Sequence, residues 1–211
     1  MDAKIGDGRS VRVPSHVCLF SRGEAELRRR QAELLRFAVE SDDEGILLFG
    51  GAGVAETLYG FLEADLGVDL SQRRDSGMIA LGAGDPDADQ QLENLMRPIE
   101  AMLARGAALV RVVGRPQWGG PAWPLPEDFV WFESRINDVT ADLRVVIVCA
   151  YDVHELPGPC LIHAGLQSHP LILSGTLAEH NELFEPHVRN LQTRMVHFPW
   201  LTQVEATADV P

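Results

Sequence analysis

The chain is expected to fold as a three-layer α/β domain, a mostly parallel sheet with helices on both faces, and three features of its sequence say so. Ile46-Leu47-Leu48-Phe49 and Val145-Val146-Ile147-Val148-Cys149-Ala150 are uninterrupted apolar runs of strand length. Such runs belong to strands covered on both faces, the condition of a parallel sheet. Between the strand candidates lie segments with apolar residues at helical spacing, above all Leu92, Leu95, Met96, Ile99, Met102 and Leu103. Strands flanked by amphipathic helices describe units that cover a sheet from either side. Finally, Gly50 to Thr57, GGAGVAET, joins the first apolar run to a helix pattern through a glycine-rich turn.

In chain order, residues 1–15 carry Gly, Ser, Asp and one Pro with little apolar content and read as a flexible leader or irregular arm. His16 to Phe20 is a strand ended by Ser21-Arg22-Gly23, and Glu24 to Ser41 is a helix with Leu27, Leu34, Leu35 and Ala38 on one face. The Ile46–Phe49 strand leads through the glycine turn to a helix from Val54 to Leu66, stopped by Gly67. Met78 to Leu81 is a third short strand, followed by a helix from Gln90 to Ala104. Pro98 predicts either a kink there or a helix that starts at it. A strand from Ala108 to Val113 precedes Gly114–Pro126, a loop holding Trp118 and Trp123; loops of that length are functional or mobile. A helix over about Glu127–Ala141, the Val145–Ala150 strand, a loop to Pro159, a short helix or turn over Cys160–Gln167 and a last strand, Leu171 to Leu173, complete the core. The expected organisation is a leader, 1–15, a single domain, 16–186, and a tail, 187–211.

Composition narrows the function. A 45% hydrophobic content in 211 residues suffices for one core, and 31 acidic against 18 basic residues, a net charge of −13, argues against a nucleic-acid surface, since phosphate affinity comes from Lys and Arg. The basic triplet Arg28-Arg29-Arg30 is flanked by Glu24, Glu26 and Glu33 and reads as a solvated helix face. There is neither an apolar run of membrane-spanning length nor a signal-peptide core, and three dispersed cysteines suit a reducing compartment. The expectation is a cytoplasmic, non-membrane protein.

The glycine turn has the layout of a phosphate-binding loop, strand then turn then helix. Laid over G-x-x-x-x-G-K-[ST], it places Gly50 and Thr57 correctly but puts Ala55 and Glu56 where Gly and Lys belong. A carboxylate at the Lys position changes an attraction of about 4 kcal/mol, at about 4 Å and an effective dielectric near 20, into a repulsion of that order. The turn therefore reads as a nucleotide-binding scaffold without nucleotide chemistry. Neither LVRVVGR nor VVIVCAYD ends on a well-placed magnesium carboxylate, with Asp152 displaced at best. His16, Cys18, Cys149, His154, Cys160, His163 and His169 are metal-ligand types, and Cys160-x-x-His163 has workable spacing, but there is no paired Cys-x-x-Cys. No metal and no cofactor are expected. A catalytic pair of Cys149 with His16 is weaker than the reading of Cys149 as a buried, inert thiol. What survives is a pocket at the carboxyl ends of the strands, where open α/β sheets bind ligands. Its candidate residues are Gly50, Gly51, Gly53, Glu56 and Thr57 of the turn, Arg115 as a counter-charge, Trp118 as an aromatic wall, Tyr151 and Glu133 as polar anchors, and Cys149, Asp152, His16 and His169 beside them.

Several signatures occur in order: His16-x-Cys18-x-Phe20, Glu133-x-x-Ile136-Asn137, Cys149-x-Tyr151-Asp152 and His169-Pro170-Leu171-Ile172-Leu173, then Gly175, Leu177, Asn181, Phe184 and Pro186. Over roughly residues 16–186 they make the chain resemble the MEDS family of sensory domains, named after methanogens, methylotrophs and the dichloromethane-responsive repressor. The resemblance implies a degenerate relative of the RecA/KaiC-type core, without a functional phosphate loop, that senses small molecules such as simple hydrocarbon derivatives. It implies a non-catalytic regulatory role in signal transduction or transcriptional control. These residues leave no room for a DNA-binding or kinase module, so the output is expected to pass to a separate protein partner. The alternative is a nucleotide-binding or metal-dependent enzyme that uses the altered turn; Glu56 and Cys149 discriminate the two. The segment Met195-Val196-His197-Phe198-Pro199-Trp200-Leu201 is apolar enough to need burial and is expected to help form a homodimer or partner interface. Truncation after His187 should accordingly change the oligomeric state or partner binding seen by light scattering; if both are unchanged, the tail only packs on its own domain.

Overall fold

A computed structural model describes residues 1–5, 9–116, 126–174 and 177–186. The strands are β1 (Asp2–Ile5), β2 (Arg9–Arg12), β3 (Ser15–Ser21), β4 (Glu44–Gly50), β5 (Ile79–Ala83), β6 (Leu109–Arg115), β7 (Val145–Asp152), β8 (Leu171–Ser174) and β9 (Leu177–His180). The helices are α1 (Glu24–Glu40), α2 (Val54–Leu66), α3 (Ser71–Asp75), α4 (Ala88–Ala104), α5 (Pro126–Val139) and the single turn α6 (Gly158–Cys160), which runs into a π-helical turn, Leu161–Leu166. Seven strands form one sheet in the order β5-β4-β6-β7-β3-β8-β9. Every pairing in it is parallel except β8 with β9.

The period-two alternation of the strands divides the core into two layers. Val17, Leu19, Ile46, Leu48, Val113, Val146 and Val148 face α1 and α2, where Leu27, Leu35, Leu58 and Leu62 meet them. Cys18, Leu47, Phe49, Val112, Ile147, Cys149 and Tyr151 face α4 and α5, against Leu95, Ile99, Met102, Phe129, Phe132 and Ile136. This is the three-layer arrangement the uninterrupted apolar runs predict. Because β4 connects onward to β5 and β6 onward to β7, the chain leaves the carboxyl ends of β4 and β6 in opposite directions. That divergence opens a crevice there, the usual place for a ligand in such sheets.

Two expectations need correction and a third is narrowed. The described residues of the leader are not irregular: β1 and β2 pair antiparallel, Ala3 with Val11 and Ile5 with Arg9, and Ala3, Ile5 and Val11 are buried. Three apolar residues on one face of a short ladder suffice to dock it, and mean composition conceals them. Pro98 does not start α4, which begins at Ala88 with the Asp87 side chain accepting from the Gln90 amide at 2.9 Å, so of the two outcomes expected at this proline only a kink within the helix is left. The stripe of Leu95, Ile99 and Met102 holds the helix to the sheet across the missing donor. Tyr151 and Asp152 belong to β7 and not to a loop, since β3 pairs with them through Phe20 and Ser21.

The hairpin is tied down by Arg111, a buried cation on the α1 side of β6. Its guanidinium donates to both carboxylate oxygens of Glu44, with Nε to Oε2 at 2.6 Å, and to the carbonyls of Lys4 and Leu34. Replacing it leaves Glu44 and two carbonyls short of a donor. Arg111→Ala should therefore lower stability by about 3 kcal/mol in urea unfolding, with most of the loss recovered if Glu44→Ala accompanies it; an unchanged midpoint would mean that the hairpin is held by its apolar contacts alone.

Candidate functional site

One register row crosses the sheet near its carboxyl end: Phe49 beside Gly114, Gly114 beside Cys149, Cys149 beside Cys18. Its side chains point to the α4/α5 layer, and at Gly114 there is no side chain. A Cβ built there would lie 4.0 Å from the Cys149 Sγ, in ordinary contact, so the missing atoms leave open space between Phe49 and Cys149. The space is a narrow apolar void, about 10 Å3 in volume and so close to the size one water needs, lined by Phe49, Leu95, Val112, Phe132, Ile136 and Ile147, with Glu133 and Cys149 supplying its polar end.

At that end four buried side chains converge from four elements. His16 comes from β3, Cys149 from β7, Glu133 from α5, and His169 from the segment just before β8. His16 Nε2 is 3.4 Å from Glu133 Oε2 and 3.4 Å from Cys149 Sγ; Cys149 Sγ is 3.5 Å, and His169 Nε2 3.6 Å, from the same carboxylate oxygen. The two imidazoles lie 3.8 Å apart between centroids. Each is held from behind. Asn137, one turn beyond Glu133 on α5, donates through Nδ2 to the Ser168 carbonyl at 2.8 Å, which leaves its Oδ1 to accept from His16 Nδ1 at 3.3 Å. The Gly165 carbonyl accepts from His169 Nδ1 at 2.7 Å. With both Nδ1 atoms protonated, both Nε2 lone pairs face the cluster.

Burial sets the electrostatics. Desolvation lowers His16 to a pKa of about 3 against the opposing hydrogen bond of Asn137, and lowers His169 to about 3 with the neighbouring His16 adding to it. Both imidazoles are therefore neutral near pH 7. Desolvation raises Glu133, opposed by the neighbouring His169 and by the hydrogen bond from Cys149. The Cys149 thiol is pushed well up by burial and then by the Glu133 charge, so the His16–Cys149 contact holds a protonated thiol and not an activated nucleophile.

The glycine turn is built differently. β4 ends at Gly50, and Gly53 takes a left-handed conformation, φ 75°, as the residue preceding α2. Only three residues separate strand from helix. The Val54 amide is used by the Gly51 carbonyl, and the Thr57 hydroxyl donates to the Gly53 carbonyl at 2.8 Å. Glu56 is exposed on the first turn of α2, where a carboxylate suits the positive end of the helix.

A family model described as MEDS, the methanogen/methylotroph, DcmR sensory domain, matches residues 15–170. The chain belongs to the MEDS family. None of the curated proteins matches it. Among solved structures it is similar to the KaiC-like protein PH0186 from the hyperthermophilic archaeon Pyrococcus horikoshii OT3, at 13% identity and a TM-score of 0.50, over 75% of this chain and 70% of that one. Likeness at that identity shows the fold, and it agrees with the RecA/KaiC-like arrangement of the sheet.

Within this MEDS domain the sequence-selected residues fall into distinct places. His16, Glu133, Cys149 and His169 meet in one cluster, and Tyr151 borders it, its hydroxyl donating to the Ala164 carbonyl at 3.1 Å and its ring edge-on to His169. Gly50, Gly51, Gly53, Glu56 and Thr57 form the turn and do not line the cavity. Arg115 does not supply a counter-charge to the cavity: its guanidinium pairs with Glu155 at 2.9 Å, because the loop after β7 brings that carboxylate over the end of β6. Asp152 is buried and accepts from the His154 amide, closing a turn. Cys160 is buried and His163 contacts Gln167, and they join no metal-like cluster among the described residues. Trp118 lies outside the described residues, as do Trp123, Gly175 and the tail from His187. Asn137 and the Gly165 carbonyl escaped selection. The spacing Glu133 to Asn137, four residues on one helix face, is the signal that points to Asn137; a backbone carbonyl leaves none.

Cys149 and Cys18 should resist iodoacetamide in the folded protein at mildly alkaline pH, labelling at least about 100-fold more slowly than after denaturation. Mass spectrometry of the labelled peptides checks this, and rapid modification of folded Cys149 would show an accessible, activated thiol.

Proposed function

We propose that this MEDS domain is a non-catalytic regulatory module that binds a small, largely apolar molecule and hands the signal to a separate protein partner in the cytoplasm. The observation that carries this reading is the cavity on the α4/α5 side of the sheet. Six apolar side chains and one thiol–carboxylate end suit a very small molecule with a single polar or polarisable group, and because the void is only about 10 Å3, such a molecule seats there by moving the side chains around Gly114 apart. The sensory description of the family supports the regulatory role. A protonated thiol, a Thr57 hydroxyl engaged with backbone and a carboxylate at position 56 all speak against hydrolysis at either place. The excess of acidic residues speaks against nucleic acid as the partner, and no helix among the described residues is long and apolar enough to cross a membrane.

The route outward runs through α5. That helix gives Phe132, Glu133 and Ile136 to the cavity and presents Arg135 and Asp138 to solvent. A ligand that seats against the first group bears on the second through one rigid element. Homodimerisation is a further means of output.

Thermal unfolding against a panel of short-chain alcohols and haloalkanes tests the reading. At least one class should raise the midpoint by mass action. Gly114→Ala should weaken that rise while leaving the unliganded midpoint close to that of the parent, because its Cβ meets nothing closer than 3.9 Å and takes up part of the void. ATP with Mg²⁺ should move neither protein. A rise of several degrees at millimolar nucleotide would transfer the function to the glycine turn and sink this reading.

A further inference from the structure

We propose that His16, Glu133, Cys149 and His169 constitute a tetrahedral site for one divalent transition ion of the zinc type. This goes beyond small-molecule sensing and does not depend on it, and it departs from the expectation of a metal-free protein.

The distances make the first case. The four closest contacts are 3.4, 3.4, 3.5 and 3.6 Å, and the four donor atoms all lie within 4.8 Å of one another. Direct hydrogen bonds between nitrogen and oxygen run to about 3.2 Å at most, so at 3.4 and 3.6 Å neither imidazole Nε2 is satisfied by the Glu133 oxygen, while the Cys149 sulfur lies at its ordinary hydrogen-bond distance from both His16 and Glu133. Metal–donor bonds of about 2.0–2.3 Å give a tetrahedron with edges of roughly 3.3–3.8 Å. These four separations all fall on the edges of such a shell, and the two between nitrogen and oxygen fit it better than they fit hydrogen bonds.

A second observation concerns His169. Its Nε2 is fully buried and has no hydrogen-bond partner among the described residues, although its Nδ1 is well bound to Gly165. A buried nitrogen left without a partner costs stability unless something occupies it, and its lone pair is aimed at the Glu133 oxygen that the other groups also face. The support behind each imidazole is the kind that metal-bound histidines have. A carbonyl oxygen, from Asn137 on one side and Gly165 on the other, accepts from Nδ1 and leaves Nε2 free to coordinate.

Charge closes the argument. With the histidines neutral, a divalent ion, the Glu133 carboxylate and a Cys149 thiolate sum to zero, so the whole unit can be buried without a net charge. Binding would release the thiol proton to solvent. Two imidazoles, one thiolate and one carboxylate suit zinc and related borderline ions rather than calcium or magnesium. Four protein donors leave no open position, which assigns the ion a structural role that pins β3, β7, α5 and the segment before β8 together at the cavity's polar end.

The full chain, stripped with a chelator and desalted, would be titrated with Co²⁺ alone. The expected result is uptake of one equivalent, with the visible bands of tetrahedral cobalt and a thiolate charge-transfer band in the near ultraviolet, both removed by added Zn²⁺. Cys149→Ser should lose the near-ultraviolet band. Asn137→Ala, which touches no metal directly, should stay folded by circular dichroism and bind about 10–100-fold more weakly. Folded parent protein that takes up no cobalt, or takes it up in octahedral form untouched by Cys149→Ser, overturns the proposal. Since no organic ligand is present, that failure leaves the small-molecule reading standing, and failure of the ligand panel leaves this one standing.

Discussion

The carboxylate of Glu133, at 1% exposure in the middle of the α5–sheet interface, is the costly feature around which the rest is arranged. An ionised carboxylate taken out of water loses several kcal/mol even after the protein relaxes, and α5 could have turned this position outward by a rotation of one residue. Instead its neighbours accommodate it. The Cys149 thiol supplies a hydrogen bond, two neutral imidazoles line the carboxylate, and β3 and β7 place His16 and Cys149 on the same side by their pleat. A buried acid that only maintained the fold would be replaceable by a leucine of similar bulk. The surrounding polar groups have no partner in that case, so the cluster is specified as a set.

The sheet makes that set possible because its strands run parallel and in close register. His16 pairs with Ile147 and Cys18 with Cys149, which puts His16 and Cys149 two residues apart along neighbouring strands and so on the same face. A slip of a single residue would send His16 and Cys18 to the α1/α2 layer and bring Val17 against Glu133. The apolar rows on the opposite face, Val17, Leu19, Val146 and Val148 against α1, therefore protect the site without touching it. The glycine at 114 adds the one void in the row, and the same register that aligns Cys149 beside it gives the void a polar end.

Much of the fold was legible in the sequence. Uninterrupted apolar runs and helical stripes are local, repeated signals, and they locate α2 and the strands β3 to β8 to within a residue or two. The hairpin β1–β2 was not, since its three buried residues are too few to outweigh a polar composition, nor was β9, which pairs antiparallel to β8 at the sheet's edge. The site divides in the same way. His16, Glu133, Cys149 and His169 were selected as individuals, but their meeting depends on β3 lying between β7 and β8, and strand order is a long-range property that spacing does not carry. Arg115 failed for the reciprocal reason: its partner Glu155 stands at 62% side-chain exposure on a separate loop, and a surface pairing of that kind is visible only in three dimensions.

The glycine turn and the polar cluster also stand in an informative relation. Both lie at the carboxyl ends of strands in one sheet, the turn after β4 and the cluster over β7 and β3, with β6 between. A nucleotide fold places its chemistry at the turn, where free amides and a lysine receive phosphate. Here the turn is short and closed on itself, and the buried, partner-seeking groups have collected two strands away under α5. The same crevice geometry serves both, because it follows from strand direction and not from what is bound. If the function of this domain lies where its unsatisfied polar groups lie, then what it shares with the KaiC-like fold is the scaffold alone, and the recognising chemistry belongs to β3, β7 and α5.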